Sequence, residues 1–177
     1  QDCLKMQALH DPDETVLDEE MARATAPFAQ KPGDVTALRD KLLDVMWEDV
    51  GVMRDADGLQ RGLQRIDEID DALSSTGVAA DNLAFNLSWH DWLNLRSLVD
   101  MSRVIAQSAL SRENSRGAHF REDHPDAGAM QDSYFTLATG SDKNISVARA
   151  PVQFTIVKPG ETLLGADEAE TLVGAAE

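Results

Sequence analysis

The stretch SWHDWLNLRSLVDMSRVIAQSALSREN, Ser88 to Asn114, is the longest periodic segment of the chain and predicts its longest helix. Apolar residues recur in it every three or four positions, which is the spacing of one face of an α-helix. These residues are Trp92, Leu95, Leu98, Val99, Ile105, Ala106 and Ala109. Ser88 with Asp91 forms a candidate capping box, and Asn86 is an alternative cap. We expect Gly117 to stop the helix as a left-handed C′ residue.

A second strong helix is predicted upstream, in VTALRDKLLDVMWEDVGVMRD from Val35 to Asp55. Its apolar residues also fall on one helical face. They are Leu38, Leu42, Val45, Met46 and Met53. Asp34 or Thr36 supplies the cap at its start. The polar run from Asp55 to Gly58 ends it.

A third helix, LQRGLQRIDEIDDAL from Leu59 to Leu73, follows that polar run at once. Its apolar face consists of Leu59, Leu63, Ile66, Ile69 and Leu73. Asp57, with Gln60 three residues on, resembles a capping box. Because the connection is so short, we expect this helix and the preceding one to pack as an antiparallel hairpin.

Strands are predicted after the helices. YFTLAT (Tyr134–Thr139) and NISVA (Asn144–Ala148) flank a turn and predict a hairpin, and VQFTIV (Val152–Val157) predicts a further strand. At the other end of the chain, Asp13 to Ala29 predicts a short helix that Asp13 caps.

These elements predict a mainly α fold, an antiparallel bundle of about three helices followed by a small β hairpin or strand appendage. We expect an N-terminal segment with a short helix over residues 1–34 and the three-helix bundle over 35–128. The β appendage is expected over 129–160, and an acidic, frayed tail over 161–177.

Composition narrows the possible partners. Acidic residues outnumber basic ones by 32 to 16, which gives a net charge of −16 and argues against nucleic acid or an anionic membrane surface. A single cysteine, Cys3, excludes an internal disulfide framework. The first ten residues lack the basic and apolar regions of a signal peptide, so we expect a cytoplasmic location. They also lack an initiator methionine, so we expect a fragment, a processed product or a separately produced domain.

The densest cluster of titratable residues is NSRGAHFREDHPD, Asn114 to Asp126. His119 and His124 are candidate metal ligands, but a spacing of five beyond a helix-stopping glycine lacks the shared face of a helical metal motif. Ser115 and His119 lie close in sequence without the signature of a nucleophile elbow. No glycine-rich dinucleotide loop is present. We therefore predict no catalytic, cofactor-binding or metal-binding residue in this chain.

Aromatic and methionine side chains are expected to pack rather than to bind a cofactor. Trp47, Trp89 and Trp92 fall on predicted helices at spacings that suit a core or an interface. Met46, Met53 and Met101 are expected to fill the core.

Arg116 and Arg121 allow two interpretations. They can neutralise the negative end of the preceding helix dipole. Alternatively, they make bidentate contacts with a carboxylate or with backbone carbonyls of another domain.

Two segments resemble the C-terminal helical domain of the succinate dehydrogenase/fumarate reductase flavoprotein family, which L-aspartate oxidase shares. The first, residues 46–67, carries Met46, Trp47, Val50, Gly51, Arg54, Gly58 and Leu59 of the family pattern. The second, residues 95–126, carries Ser108, Ala109, Leu110, Arg112, Ser115, Arg116, Gly117, Ala118, His119, Arg121, Asp123 and Pro125. Asn114 departs from the pattern, which usually has Glu there, and the segment after residue 130 matches the respiratory enzymes only faintly.

The resemblance implies a non-catalytic packing domain of an FAD-dependent oxidoreductase. In that family the flavin-binding and capping domains precede this helical domain and build the active site, so FAD belongs to the parent protein and none is expected in this chain. The implied partner is that upstream part, with a homo-oligomer also possible. The expected docking residues are Trp47, Arg54, Arg116, His119 and Arg121. The alternatives are a free-standing helical module that assembles with a separate partner or with itself, and a metal-dependent enzyme using His119 and His124.

Overall fold

The computed structural model describes residues 13–79, 82–141 and 143–161. Its α-helices are α1 (Glu14–Thr25), α2 (Val35–Glu48), α3 (Ala56–Ser74) and α4 (Leu87–Ser111), and a short 3₁₀ turn (Ala26–Ala29) follows α1. The predicted mainly α architecture with a small β appendage is confirmed. Within the described ranges, no helix has the length and apolar character that crossing a membrane requires. Cys3 and the predicted tail from residue 162 onward lie outside these ranges.

Helix α2 ends at Glu48, seven residues before the predicted end. Asp49 is buried, and its carboxylate accepts hydrogen bonds from Arg61 and Arg65 of α3, each at 2.8 Å. At Gly51 a Cβ would lie 2.5 Å from the carbonyl oxygen of Trp47, so the chain folds back tightly on the helix end. The helical prediction for residues 49–55 is therefore wrong, because these contacts with α3 remove the chain from its helical path.

The structure shows which of the predicted capping residues cap the helices. Asp34 caps α2 by accepting from the Ala37 amide at 2.9 Å. Asn86 caps α4 by accepting from the Trp89 amide at 3.0 Å, so the capping box at Ser88 is not used. Helix α3 begins two residues earlier than a cap at Asp57 requires. Asp55 is its cap and accepts from the Gly58 amide at 2.6 Å.

Two compact units share the helices, each taking part of α2, α3 and α4. The first takes residues up to 42 together with 68–99, and the second takes 43–67 and the residues from 100 onward. The buried core of the first is Leu42, Ile69, Leu73, Val78, Trp92, Leu95 and Val99. The buried core of the second is Val45, Val50, Leu59, Ile66, Ala106 and Ala109.

Several residues expected in the core are exposed instead. Leu98 and Ile105 of the predicted stripe are 46% and 43% exposed, and Met101 is 56% exposed. Met53 is 64% exposed, because it lies in a short strand and not on α2. Periodicity gave the correct helix but too wide an apolar face, since it does not show where the neighbouring elements end.

In the ranges that the structure describes, four strands form two separate sheets. Strands β1 (Met53–Arg54) and β2 (Phe120–Arg121) pair in parallel, and β3 (Tyr134–Ser141) and β4 (Asn144–Pro151) form the predicted antiparallel hairpin. The further strand predicted over Val152–Val157 is absent from the described structure. After Pro151, the Val152 amide still bonds to the Ser133 carbonyl at 2.9 Å, but the chain then leaves the ladder.

Candidate docking site around the arginine and histidine cluster

The parallel pair β1–β2 sets the frame of the site. Met53 lies opposite Phe120, and Arg54 lies opposite Arg121. Successive residues of a strand point to opposite faces, and paired residues share a face. Met53 and Phe120 are accordingly exposed, whereas Arg121 is buried and Arg54 is partly buried. The pair therefore presents apolar side chains outward and directs its arginines inward.

Gly117 lies in a tight turn rather than at the end of α4. Arg116 and His119 exchange two backbone hydrogen bonds, at 2.8 and 3.0 Å, and Gly117 has a φ of +57° between them. A positive φ at the first central position suits glycine in a two-residue hairpin turn. The prediction of a left-handed glycine is confirmed, but its role as the helix C′ residue is wrong because α4 already ends at Ser111.

Arg121 caps α4 in place of a glycine. The side chain is 2% exposed, and its Nη1 donates to the carbonyls of Ala109, Leu110 and Arg112, each at 3.1 Å. Its Nε and Nη2 donate to the two oxygens of Asp123, at 2.7 and 2.6 Å. Arg121, one of the expected docking residues, is therefore buried, and its hydrogen bonds serve Asp123 and carbonyls at the end of α4.

Asp123 is exposed and completes this arrangement. Its Oδ2 accepts both from Arg121 and from the amide of Ala56 at the start of α3, the latter at 3.0 Å. The Arg121 guanidinium holds the pKa of the Asp123 carboxyl well below its usual range, and the Ala56 amide adds to the effect. The carboxylate in turn raises the pKa of Arg121. One ion pair thus joins the end of α4 to the beginning of α3.

Arg116 orders the segment that follows. Its Nε donates to the carbonyl of Ala127, its Nη2 to the carbonyl of Ala129 at 2.7 Å, and its Nη1 to Ser133 Oγ at 2.8 Å. Three donors of one planar guanidinium therefore fix the chain between residues 127 and 133.

His119 lies against Arg54, with 2.9 Å between Nδ1 of the imidazole and Nη1 of the guanidinium. Because arginine can only donate, Nδ1 is the acceptor and the proton of the neutral ring lies on Nε2. Burial lowers the pKa of His119, and the positive charges of Arg54, Arg112 and Arg121 lower it further. The nearby carbonyl of Arg112 opposes this shift in part, although the buried Nε2 makes no close hydrogen bond within the described structure. His119 is therefore a neutral acceptor.

Arg54 also donates hydrogen bonds to backbone carbonyls just before it in the chain. Its Nε donates to the carbonyls of Gly51, at 2.6 Å, and Val50, at 3.0 Å. Burial lowers the pKa of Arg54. No carboxylate of the described residues forms an ion pair with it.

Exposed apolar side chains lie on α2 and on or next to the strand pair β1–β2. We call this set the apolar patch; it consists of Leu43, Trp47, Val52, Met53 and Phe120. Trp47 is 82% exposed, and Leu43 lies one turn before it on α2. Of these five residues, the sequence predicted only Trp47 as a docking residue. The exposure of Met53 and Phe120 could not be predicted, since their pairing leaves no signal in local periodicity.

In the described part of the chain, the residues considered for a metal site and for a nucleophile are held by other contacts. Among the described residues, no three side chains of the metal-ligating types come together. His119 Nδ1 is held by Arg54, and His124 lies 4.0 Å from the Asp123 carboxylate. Ser115 Oγ donates to the carbonyl of His124 and accepts from the Arg121 amide, both at 2.8 Å, so it acts as a bridge within the loop.

A cavity of about 410 Å³ lies in the first compact unit. It lies at the start of α2 and also borders the first turn of α4. Its lining includes one basic residue, Arg39, and two acidic residues, Asp34 and Asp91.

Comparison with known proteins identifies the family. Residues 39–163 match the family described as fumarate reductase flavoprotein C-term, and the chain belongs to this family. It is 32% identical over 121 residues to an uncharacterized FAD-dependent oxidoreductase of Methanocaldococcus jannaschii, covering 66% of this chain and 21% of that protein. It is 42% identical over 86 residues to L-aspartate oxidase 1 of Ralstonia nicotianae, covering 49% of this chain and 15% of that protein.

The fold agrees with this assignment. The solved structure of Mycobacterium smegmatis Sdh1 in complex with UQ1 aligns with a TM-score of 0.70 and 25% identity, over 94% of this chain and 28% of that one. The chain spans about a fifth of the length of the curated relatives that it matches. The family resemblance deduced from the two motifs is therefore confirmed.

The described residues do not fit FAD, the cofactor named for the Methanocaldococcus relative. A dinucleotide needs backbone amides and positive charge for its pyrophosphate. The cavity in the first unit offers one arginine against two carboxylates, which would repel that group. We therefore derive no step through a flavin in this chain.

Proposed function

We propose that this chain is a non-catalytic packing domain of an FAD-dependent oxidoreductase of the fumarate reductase/succinate dehydrogenase type. It docks through the apolar patch onto the part of the protein that binds the flavin and the substrate. The observation that carries the proposal is the different orientation of polar and apolar side chains in the two segments that carry the family motif. Its polar side chains bond within the chain, whereas Trp47 and the paired Met53 and Phe120 face outward.

The free energy gained by burying apolar side chains favours docking of the apolar patch over its exposure to solvent. Full burial of one large apolar side chain contributes about 2 kcal/mol. Large exposed aromatic side chains on an ordered frame are typical anchors of an interface. Trp47, at 82% exposure, leaves most of that contribution for a partner to supply.

Arg116 and Arg121 support the surface indirectly. Arg121 fixes β2 against α4 and, through Asp123, against the start of α3. Loss of Arg116 or Arg121 is therefore expected to loosen domain packing before it affects a chemical step. An assembled but catalytically dead Arg116→Ala parent would contradict this role.

The test compares the 177-residue chain with the flavoprotein expressed from the complete reading frame. Hydrogen exchange of the segments containing Trp47, Met53 and Phe120 should be slower in the flavoprotein than in the isolated chain. Trp47→Ser should speed exchange there and lower the thermal midpoint of the flavoprotein. Leu17→Ser, an equally drastic change of an exposed residue on α1, is the matched control.

Two outcomes would overturn the proposal. One is equal exchange of the patch in the isolated chain and in the flavoprotein. The other is a Trp47→Ser effect no larger than that of Leu17→Ser. If the isolated chain instead dimerises through the patch in sedimentation experiments and Trp47→Ser makes it monomeric, the free-standing interaction module replaces the packing domain.

A further inference from the structure

Arg54 differs from most arginines of this acidic chain. Within the described ranges, eight arginines have a carboxylate oxygen within 4.0 Å; they are Arg23, Arg39, Arg61, Arg65, Arg96, Arg103, Arg121 and Arg149. Arg54, Arg112 and Arg116 have none there. An arginine without a counter-ion is notable in a chain with 32 acidic and 16 basic residues.

The contacts of these three arginines separate Arg54 from the other two. Arg116 spends three donors on Ala127, Ala129 and Ser133. The guanidinium of Arg112 lies 4.9 Å from the ring centroid of Tyr134. Arg54 donates through Nε and Nη1, and its Nη2 has no acceptor among the described residues.

The surroundings of Arg54 favour an anionic partner group. Burial lowers the pKa of His119 beside Arg54, and the nearby positive charges of Arg54, Arg112 and Arg121 lower it further. Met53 precedes Arg54 in β1, and Phe120 pairs with Met53, so Arg54 belongs to the strand pair whose other face carries these two residues of the apolar patch. A charge-assisted hydrogen bond gains strength where a docked apolar surface excludes water.

We propose that Arg54 receives a carboxylate side chain of the flavin-bearing part beside the strand pair β1–β2. The inference rests on the proposed docking function and names the chemistry of its partner, an aspartate or glutamate set among apolar residues. The planar guanidinium suits a carboxylate because it offers parallel donors. His119 is a positioning residue. Its Nδ1 accepts from Nη1 and fixes the plane of the guanidinium, while its neutral state adds no competing charge.

The first experiment probes the site with a small carboxylate. Sodium acetate is added to the isolated chain at constant ionic strength, with sodium chloride as reference, and the Arg54 side-chain and His119 ring signals are followed by NMR. We expect a saturable shift with acetate that chloride does not produce and that Arg54→Gln abolishes. Trp47→Ser should keep it. An acetate response equal to that of chloride, or one that persists in Arg54→Gln, overturns the site.

The second experiment uses the complete flavoprotein. Arg54→Gln should speed hydrogen exchange across the apolar patch at least tenfold, and Arg54→Lys should have a smaller effect because it keeps the charge. His119→Asn, which retains a neutral acceptor near the position of Nδ1, should stay closer to the native protein than His119→Phe. Urea unfolding of the isolated Arg54→Gln chain separates loss of docking from loss of folding.

The outcomes distinguish the two proposals. If Trp47→Ser loosens docking and Arg54→Gln does not, the packing domain stands and the carboxylate site is overturned. If neither variant loosens it, both fail. If Arg54→Glu loosens docking and a lysine at one acidic position of the flavin-bearing part restores it, the site is supported and its partner residue is identified. Binding of free phosphate with no effect of Arg54→Gln on docking overturns the carboxylate partner.

Discussion

Arg121 joins two helix ends whose backbone groups cannot satisfy each other. The last carbonyls of a helix lack intrahelical donors, and the first amides lack acceptors. Arg121 supplies donors to the end of α4, and Asp123 supplies an acceptor to the Ala56 amide of α3. The pair is therefore a shared cap for two helices.

Removing this cap should be costly for folding. Arg121→Ala is expected to lower the free energy of unfolding by about 3 kcal/mol, because it removes the shared donor of three buried or part-buried carbonyls. The free energy of unfolding of Arg121→Lys should lie between those of Arg121→Ala and the native chain, since one ammonium cannot reach Asp123 and three carbonyls together. Urea unfolding followed by circular dichroism measures the effect. Arg39→Ala, which removes an exposed arginine, is the control and should change the midpoint little. A similar loss in both alanine variants would contradict the capping role.

His119 should make stability depend on pH. The pKa of His119 in the folded chain lies below its ordinary value of 6.5, so the folded state favours the neutral ring. Its contribution is present above pH 6.5, and it is lost as the pH falls, because the unfolded chain takes up the proton more readily. Urea unfolding at about pH 7.5 and at about pH 5.5 should show this loss. His119→Asn should reduce the difference; an unchanged difference would exclude His119 as its source.

At the residue scale, the sequence left open what Arg116 and Arg121 bind. Arg116 and Arg121 were expected either to act on the end of the preceding helix or to reach another domain. Arg121 takes the first role, through hydrogen bonds to three carbonyls. Its pairing with Asp123 could not be foreseen, because the orientation of that carboxylate also depends on the Ala56 amide, far away in sequence.

At the scale of elements, local periodicity found the four helices and the hairpin but not all of their ends. The end of α2 depends on Asp49, whose carboxylate is drawn to Arg61 and Arg65 of the next helix. The start of α4 depends on Asn86 rather than on Ser88, and either residue makes a good cap in isolation. Contacts between elements thus decide boundaries that propensity leaves open.

The β3–β4 hairpin contacts the end of α4 through the ring of Tyr134 and through hydrogen bonds of Arg112 and Arg149. The guanidinium groups of Arg112 and Arg149 each lie 4.9 Å from the centroid of Tyr134. Arg112 also donates to Thr136, and Arg149 donates to the carbonyl of Ser111. Two isolated strands are marginally stable in water, so this attachment is what keeps the hairpin folded.

Replacing the ring should free the hairpin and leave the helices intact. Tyr134→Ala is expected to raise hydrogen exchange throughout Tyr134–Pro151, with a loss of about 1 kcal/mol from the cation–π contacts. Phe135→Ala is the matched control, because its side chain points to the opposite face and is 59% exposed. Mass spectrometry of exchange in the two variants makes the comparison. Equal protection in both would show that the strands hold without the ring.

At the scale of the whole molecule, net charge opposes compactness. A net charge of −16 on 177 residues means that like charges repel one another. Folding brings these charges closer together and so increases the repulsion. Most described arginines pair with carboxylates and relieve part of it. The remaining acidic residues rely on solvent and counter-ions for screening.

Salt should therefore stabilise the chain. Raising sodium chloride from about 0.02 M to about 0.5 M is expected to increase Tm by several degrees, because it screens repulsion between exposed charges. Calorimetry measures the shift, and potassium chloride at the same concentrations should reproduce it if screening is the cause. A lower Tm at high salt would show that exposed ion pairs outweigh the repulsion.

The two-residue pair β1–β2 also has a consequence for the order of folding. Met53 and Phe120 belong to segments separated by all of α3 and α4, and they become neighbours when these short strands meet. Contacts between distant segments carry a large loop-closure cost and form after local helices have gained support. This part of the apolar patch is thus among the last features to appear. A partner that binds it would distinguish a finished chain from a partly folded one, and assembly would then act as a checkpoint on folding.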